Sequence, residues 1–223
     1  MTPCEQPHKG EAYGSFKLTG DKYPGHAKIA EQARPRCAKL LPEYALDPDA
    51  VGDLQTYFYY PDRSSWPTGE RTVTCWAGPS EGKRDASIRT DSTTLEPDQF
   101  IFLAATKPAY EADLTYPEGE PGDDLPASKA WAGRMAKAYR QTAASLKALP
   151  LPPKAAKELP ALIEWYENAI PDWRAAAAAK DVDTFYGYVE EVVDNEAGDF
   201  DELNAKVRAA LELPEAAGSG SSV

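Results

Sequence analysis

Between Ala12 and Leu18, apolar and polar residues alternate (Ala12-Tyr13-Gly14-Ser15-Phe16-Lys17-Leu18) before Thr19-Gly20-Asp21. That period of two, closed by turn residues, predicts a strand. After Tyr23-Pro24-Gly25, the period changes. Ile29, Ala33, Cys37, Leu40 or Leu41, and Tyr44 recur at helical spacing along one face. Pro35 falls inside this pattern, which predicts a bent or late-starting helix. Two further strands are predicted. Leu54-Gln55-Thr56-Tyr57-Phe58-Tyr59-Tyr60 stops at Pro61-Asp62, and Arg71-Thr72-Val73-Thr74-Cys75-Trp76-Ala77 stops at Gly78-Pro79. Ala86–Arg89 and Phe100–Leu103 are weaker strand candidates. A helix lying on a small antiparallel sheet is the simplest layered solution for this part.

The pattern then changes for good. Thr115 to Asp124 is acidic and rich in Pro and Gly, and beyond it alanine is abundant and the period is helical. Trp131, Met135, Ala138, Thr142, Leu146 and Leu149 share one face. Pro150-Leu151-Pro152-Pro153 closes that helix and opens the next. Leu159, Leu162, Ile163, Tyr166, Ile170 and Trp173 form a second stripe, in which Pro171 is expected to bend or split the helix. Phe185, Tyr188, Val189, Val192 and Val193 form a third; Phe200, Leu203, Val207, Ala210 and Leu211 form a fourth. The fold class expected is therefore α+β: a small antiparallel sheet with one packed helix, followed by an α-helical hairpin or bundle. The expected divisions are an α+β domain over 1–109, an acidic linker over 110–124, a helical domain over 125–215 and a flexible tail over 216–223.

Composition narrows what such a chain does. Its net charge is −12, most of it carried from Tyr110 onward, which disfavours nucleic acid as a partner. No apolar run reaches the roughly 20 residues a membrane-spanning helix needs, and the first residues lack the pattern of a signal peptide. Membrane anchoring is expected only through a segment absent from this chain. Nucleophile elbow, phosphate-binding loop and dinucleotide fingerprint are all missing, so a non-enzyme without a cofactor is expected.

The candidate chemistry is sparse. The two histidines are His8 and His26. A metal site of Cys4, His8 and Glu11 is conceivable, but without paired Cys-x-x-Cys spacing the expectation is no metal, with His8 packing or capping a turn. Alternation puts Tyr57 and Tyr59 on one strand face and Phe58 and Tyr60 on the other. Tyr57 and Tyr59 are thus a candidate aromatic binding face, set against the alternative that both faces are covered. Among the three cysteines, Cys37 lies on the buried stripe of its helix and Cys75 shares a strand face with Val73. A Cys37–Cys75 disulfide pinning helix to sheet is expected, with Cys4–Cys75 as the alternative. Disulfide chemistry places the chain in an oxidising compartment.

Several short stretches, taken in order, carry a resemblance. They are Cys4-Glu5-Gln6-Pro7-His8-Lys9-Gly10-Glu11, Tyr23-Pro24-Gly25, the helix bearing Cys37, Tyr59-Tyr60-Pro61, and Trp66-Pro67-Thr68-Gly69-Glu70-Arg71-Thr72-Val73-Thr74-Cys75. Over residues 4–77 the chain resembles the actinobacterial septum formation domain, whose signature is Cys-x-x-Pro-His-x-x-Glu. Pro7, His8, Glu11, Trp66, Gly69 and Arg71 fall on the motif, with no role carried over from the family. The resemblance implies an extracytoplasmic, membrane-anchored or secreted protein whose partner is an envelope or division protein. It also implies a Gly-Asp-Cys strand upstream of this chain that would supply a partner for Cys4, making the chain part of a longer protein. The helices lie outside the resemblance. Two functional readings follow: a scaffold or partner-binding envelope protein, and a small-ligand or glycan binder using the aromatic face.

Overall fold

The computed structural model describes residues 4, 6–117, 119–194 and 198–214. Glu5 of the amino-terminal motif, Glu118 of the acidic connector and the 216–223 tail lie outside the described residues. The chain divides into two compact units, Met1–Thr94 and Leu95–Glu215. This division precedes the 110–124 connector, because the Phe100–Leu103 run turns out to be helix.

The first unit holds β1 (Glu11–Lys17), α1 (His26–Tyr44), the single turn α2 (Pro48–Val51), β2 (Gln55–Tyr59), a 3₁₀ turn (Trp66–Thr68) and β3 (Thr72–Gly78). β3 is central and antiparallel to both neighbours, giving the order β1-β3-β2. Pairing of Tyr57 with Trp76 and of Phe58 with Cys75 fixes which side chains share a face. Val73, Cys75 and Ala77 are fully buried on the side of α1, whose Ile29, Ala33, Cys37 and Leu41 are buried in turn. Leu18, Ile29, Ala33, Trp66 and Val73 form the core cluster, bordered by Phe16, Tyr23, Phe58 and Tyr60. The register shifts between Ala12 and Gly14, and Tyr13 in the bulge is buried.

The expected disulfide is present. Cys37 of α1 and Cys75 of β3 are bonded, with their Cα atoms 5.5 Å apart. The late helix start expected from Pro35 does not occur, since α1 begins at His26. Pro35 lies on the exposed side, where the carbonyl that loses its helical donor can be hydrated. Ala86–Arg89 is not a strand either. Ile88 is fully buried, but its N–H bonds the Glu11 carboxylate rather than a neighbouring strand.

The second unit contains α3 (Pro97–Asp113), α4 (Leu125–Lys147), α5 (Pro153–Ala178), α6 (Val182–Val193) and α7 (Phe200–Ala210). Phe100–Leu103 is helical because its apolar spacing continues through Ala105, Ala109 and Ala112, all buried on one face. A run of four apolar residues does not by itself distinguish strand from helix. α5 continues through Pro171, which is exposed, so the helix is not split. α4 packs on α3 and α5, and α5 also packs on α6 and α7. Ala132, Ala155, Ala169 and Ala176 are fully buried and permit close helix approach. Edge-to-face rings run through this core from Tyr116 to Trp131, Trp173, Tyr139 and Tyr166. α6 departs from the expected stripe: Phe185 and Val192 are buried, while Val193 is 73% exposed and Tyr188 lies at the surface. Asp124, Asp181 and Asp199 cap α4, α6 and α7 by accepting from the backbone N–H of Ala127, Thr184 and Glu202. The amide of Gln99 at the start of α3 donates to the carbonyls of Leu211 and Glu212 after α7, tying the ends of the unit together. Among the described residues, no helix is long and apolar enough to cross a membrane.

Candidate functional site

The amino-terminal motif folds back on the start of β1. His8 pairs with Arg84 through two backbone hydrogen bonds, His8 N–H to Arg84 O at 2.8 Å and Arg84 N–H to His8 O at 3.0 Å. These hold the backbone of His8 while its side chain is buried, 8% exposed. Nδ1 lies 2.9 Å from the Gln6 carbonyl, which acts only as an acceptor, so Nδ1 carries the proton. Nε2 is then an acceptor, and it is buried without a hydrogen-bond partner.

Glu11 is also buried, 5% exposed. Its Oε1 accepts from the Tyr44 hydroxyl and the Ser87 hydroxyl, each at 2.6 Å, and Oε2 accepts from the Ile88 N–H at 2.9 Å. Burial alone raises the carboxyl pKa. Hydrogen bonds from Ser87, Tyr44, the Ile88 backbone and the Cys4 thiol outweigh it, and the net shift is downward. Tyr44 is pushed up to about 12, first by burial and then by its bond to this carboxylate. Cys4, His8 and Glu11 therefore meet: each offers a ligand-type atom within 4.8 Å of the other two. Helix end, strand start and the 84–90 loop converge on one ionised carboxylate.

The other motif residues sit elsewhere. Trp66 is 3% exposed, and its indole N–H donates to the Asp21 carbonyl at 3.1 Å. Arg71 lies over this ring and donates to the carbonyls of Trp66, Glu70 and Gly20. Gly69 ends the 3₁₀ turn at φ 87°, a left-handed conformation that suits glycine. Pro7 is exposed beside His8. Trp66, Gly69 and Arg71 hold one corner of the sheet.

On the sheet face away from α1, three rings lie nearly parallel. Trp76 stacks on Tyr57 at 4.5 Å and 22°, and on Tyr59 at 5.4 Å and 6°. Tyr59 is 65% exposed, so this face is not covered at that position. Trp66 takes no part, because it belongs to the buried side.

Residues 1–75 match the family model described as septum formation. The match takes in Cys4, His8, Glu11, Trp66, Gly69 and Arg71 and ends at Cys75 of the disulfide. It leaves the helical unit unmatched. The matched family is not a known enzyme family. No curated protein and no solved structure matches the chain.

The motif places Cys4, His8 and Glu11 in one short stretch of sequence, but the residues that anchor them lie elsewhere in the chain. Tyr44 had a signal as the last position of the α1 stripe. Ser87 and Ile88 read only as part of a weak strand candidate, because their role depends on where a loop passes. Trp76 was legible as strand, yet its place between two tyrosines needs the β2–β3 register.

Proposed function

We propose that this protein is a non-enzymatic, extracytoplasmic envelope protein that acts as a scaffold or partner-binding module in septation or cell-wall assembly. The observation that carries the reading is the match of residues 1–75 to the septum formation family. The Cys37–Cys75 disulfide supports it, since such bonds persist in oxidising compartments. The partner proposed is an envelope or division protein, not nucleic acid. Cross-linking in cells, followed by mass spectrometry of the captured complex, tests the proposal. Enrichment of septal or cell-wall proteins is expected; their absence among the captured proteins would overturn it.

A second reading is favoured by the ring stack. Near-parallel aromatic rings at a strand surface suit the apolar face of a sugar or another small flat ligand. Titration with soluble cell-wall glycan fragments, read by the Tyr57, Tyr59 and Trp76 resonances, is the test. Saturable shifts lost in Tyr59→Ala are expected under this reading, and no shift at these rings would remove it.

A further inference from the structure

We propose that Cys4, His8 and Glu11 form a binding site for a divalent transition metal ion of the zinc type, with one coordination position left for water or a partner's ligand. Thiolate, imidazole and carboxylate form a donor set suited to such an ion. The three donor atoms already lie within 4.8 Å of one another. Around a common tetrahedral centre they would be about 3.5 Å apart, so a small inward movement completes the geometry.

The surroundings resemble a prepared outer shell. A metal-binding histidine usually donates its second ring N–H to a carbonyl or carboxylate, which fixes its tautomer and orientation. His8 does so through Nδ1 to Gln6 O, leaving Nε2 with its lone pair. That nitrogen is buried with no hydrogen-bond partner, a costly state that a metal bond would relieve. The Glu11 carboxylate is held by Tyr44, Ser87 and Ile88, and Oε2 receives only the Ile88 N–H from that group. On binding, the Cys4 S–H bond gives its proton to solvent and the sulfur lone pair forms the metal bond. Thiolate and carboxylate then carry two negative charges, which the dication neutralises.

The test uses the full chain, freshly reduced under conditions that leave the buried Cys37–Cys75 bond intact, with Co²⁺ as a spectroscopic probe. One equivalent is expected to give a saturable thiolate-to-cobalt charge-transfer band, and Zn²⁺ should displace it. Cys4→Ser should abolish the band, and His8→Gln should weaken binding at least about tenfold. Tyr44→Phe keeps all three donors but loosens Glu11, and should weaken binding by about 10- to 100-fold, the range expected for outer-shell partners. Near-UV circular dichroism separates loss of the site from loss of the fold. Three results would overturn the proposal: no saturable band in the folded protein, equal binding by Cys4→Ser and His8→Gln, or a Cys4 disulfide in protein isolated from cells.

Discussion

The Arg71 guanidinium lies 3.7 Å from the centre of the Trp66 ring while also donating to the Trp66 carbonyl at 2.6 Å. One side chain thus packs on the indole face and ties together the backbone at Trp66, Glu70 and Gly20. A lysine presents a point charge and cannot reproduce the planar fork. Arg71→Lys should destabilise the first unit by about 1 kcal/mol and Arg71→Ala by about 2 kcal/mol, from lost stacking and hydrogen bonds. Urea unfolding followed by Trp66 fluorescence measures both. Equal stability of all three proteins would mean that the corner does not depend on this contact.

The disulfide joins residues separated by 38 positions and links α1 to the central strand. In the loop-entropy account, a closure of this length contributes about 3 to 4 kcal/mol. The Cys37→Ala/Cys75→Ala double variant should lower the urea midpoint of the first unit accordingly. The helical unit holds no part of the bridge. Its unfolding, followed through the far-UV helix signal, should keep its midpoint.

How far these features were legible depended on the range of the interactions behind them. The strands of the first unit and the four C-terminal helices follow local periodicity, and α1 with its cysteine facing the sheet could be read from one stripe. Phe100–Leu103 could not, because four apolar residues fit either period and the deciding alanines lie further along. Pro35 does not delay the start of α1, and Pro171 does not split α5. Their cost depends on whether the orphaned carbonyl reaches water, and both prolines are on exposed sides. The motif residues Pro7, His8 and Glu11 stand out in sequence, but the pairing that holds His8 and two of the four donors to Glu11, Ser87 and Ile88, come from the loop at 84–90.

Asp91, directly after that loop, supplies a pH test. Its carboxylate accepts from the Thr93 hydroxyl, the Arg89 guanidinium and the Thr93 N–H. Thr93 first, and then Arg89, hold it down at about 2. A depressed value means the folded state favours the ionised form. The stabilisation is complete above the ordinary aspartate range and is lost as pH falls through about 2. Carbon-detected NMR should show the Asp91 carboxyl titrating well below the exposed aspartates. A midpoint near 3.8, the ordinary value, would contradict the hydrogen-bonded loop.

The ring stack rests on the absence of two side chains. A Cβ at Gly10 would fall 2.3 Å from Trp76 Cε3 and 2.9 Å from the Ala77 carbonyl, and one at Gly78 would fall 2.3 Å from the Lys9 carbonyl. Moving the indole relieves most of the first clash and leaves the 2.9 Å approach to the Ala77 carbonyl, whereas the second is chiefly against backbone. Gly10→Ala should therefore cost about 1 to 3 kcal/mol and displace the Trp76 ring from Tyr57 and Tyr59. Gly78→Ala should cost more and force apart the close approach of Lys9 and Gly10 to the end of β3. Near-UV circular dichroism and the Trp76 indole resonance report the ring, and urea unfolding reports the stability. If Gly10→Ala leaves the Trp76 signal unchanged, the indole does not lie over Gly10. If it shifts that signal and abolishes glycan-induced perturbation while the protein remains folded, the stacked arrangement, rather than exposed tyrosine alone, is what a sugar recognises.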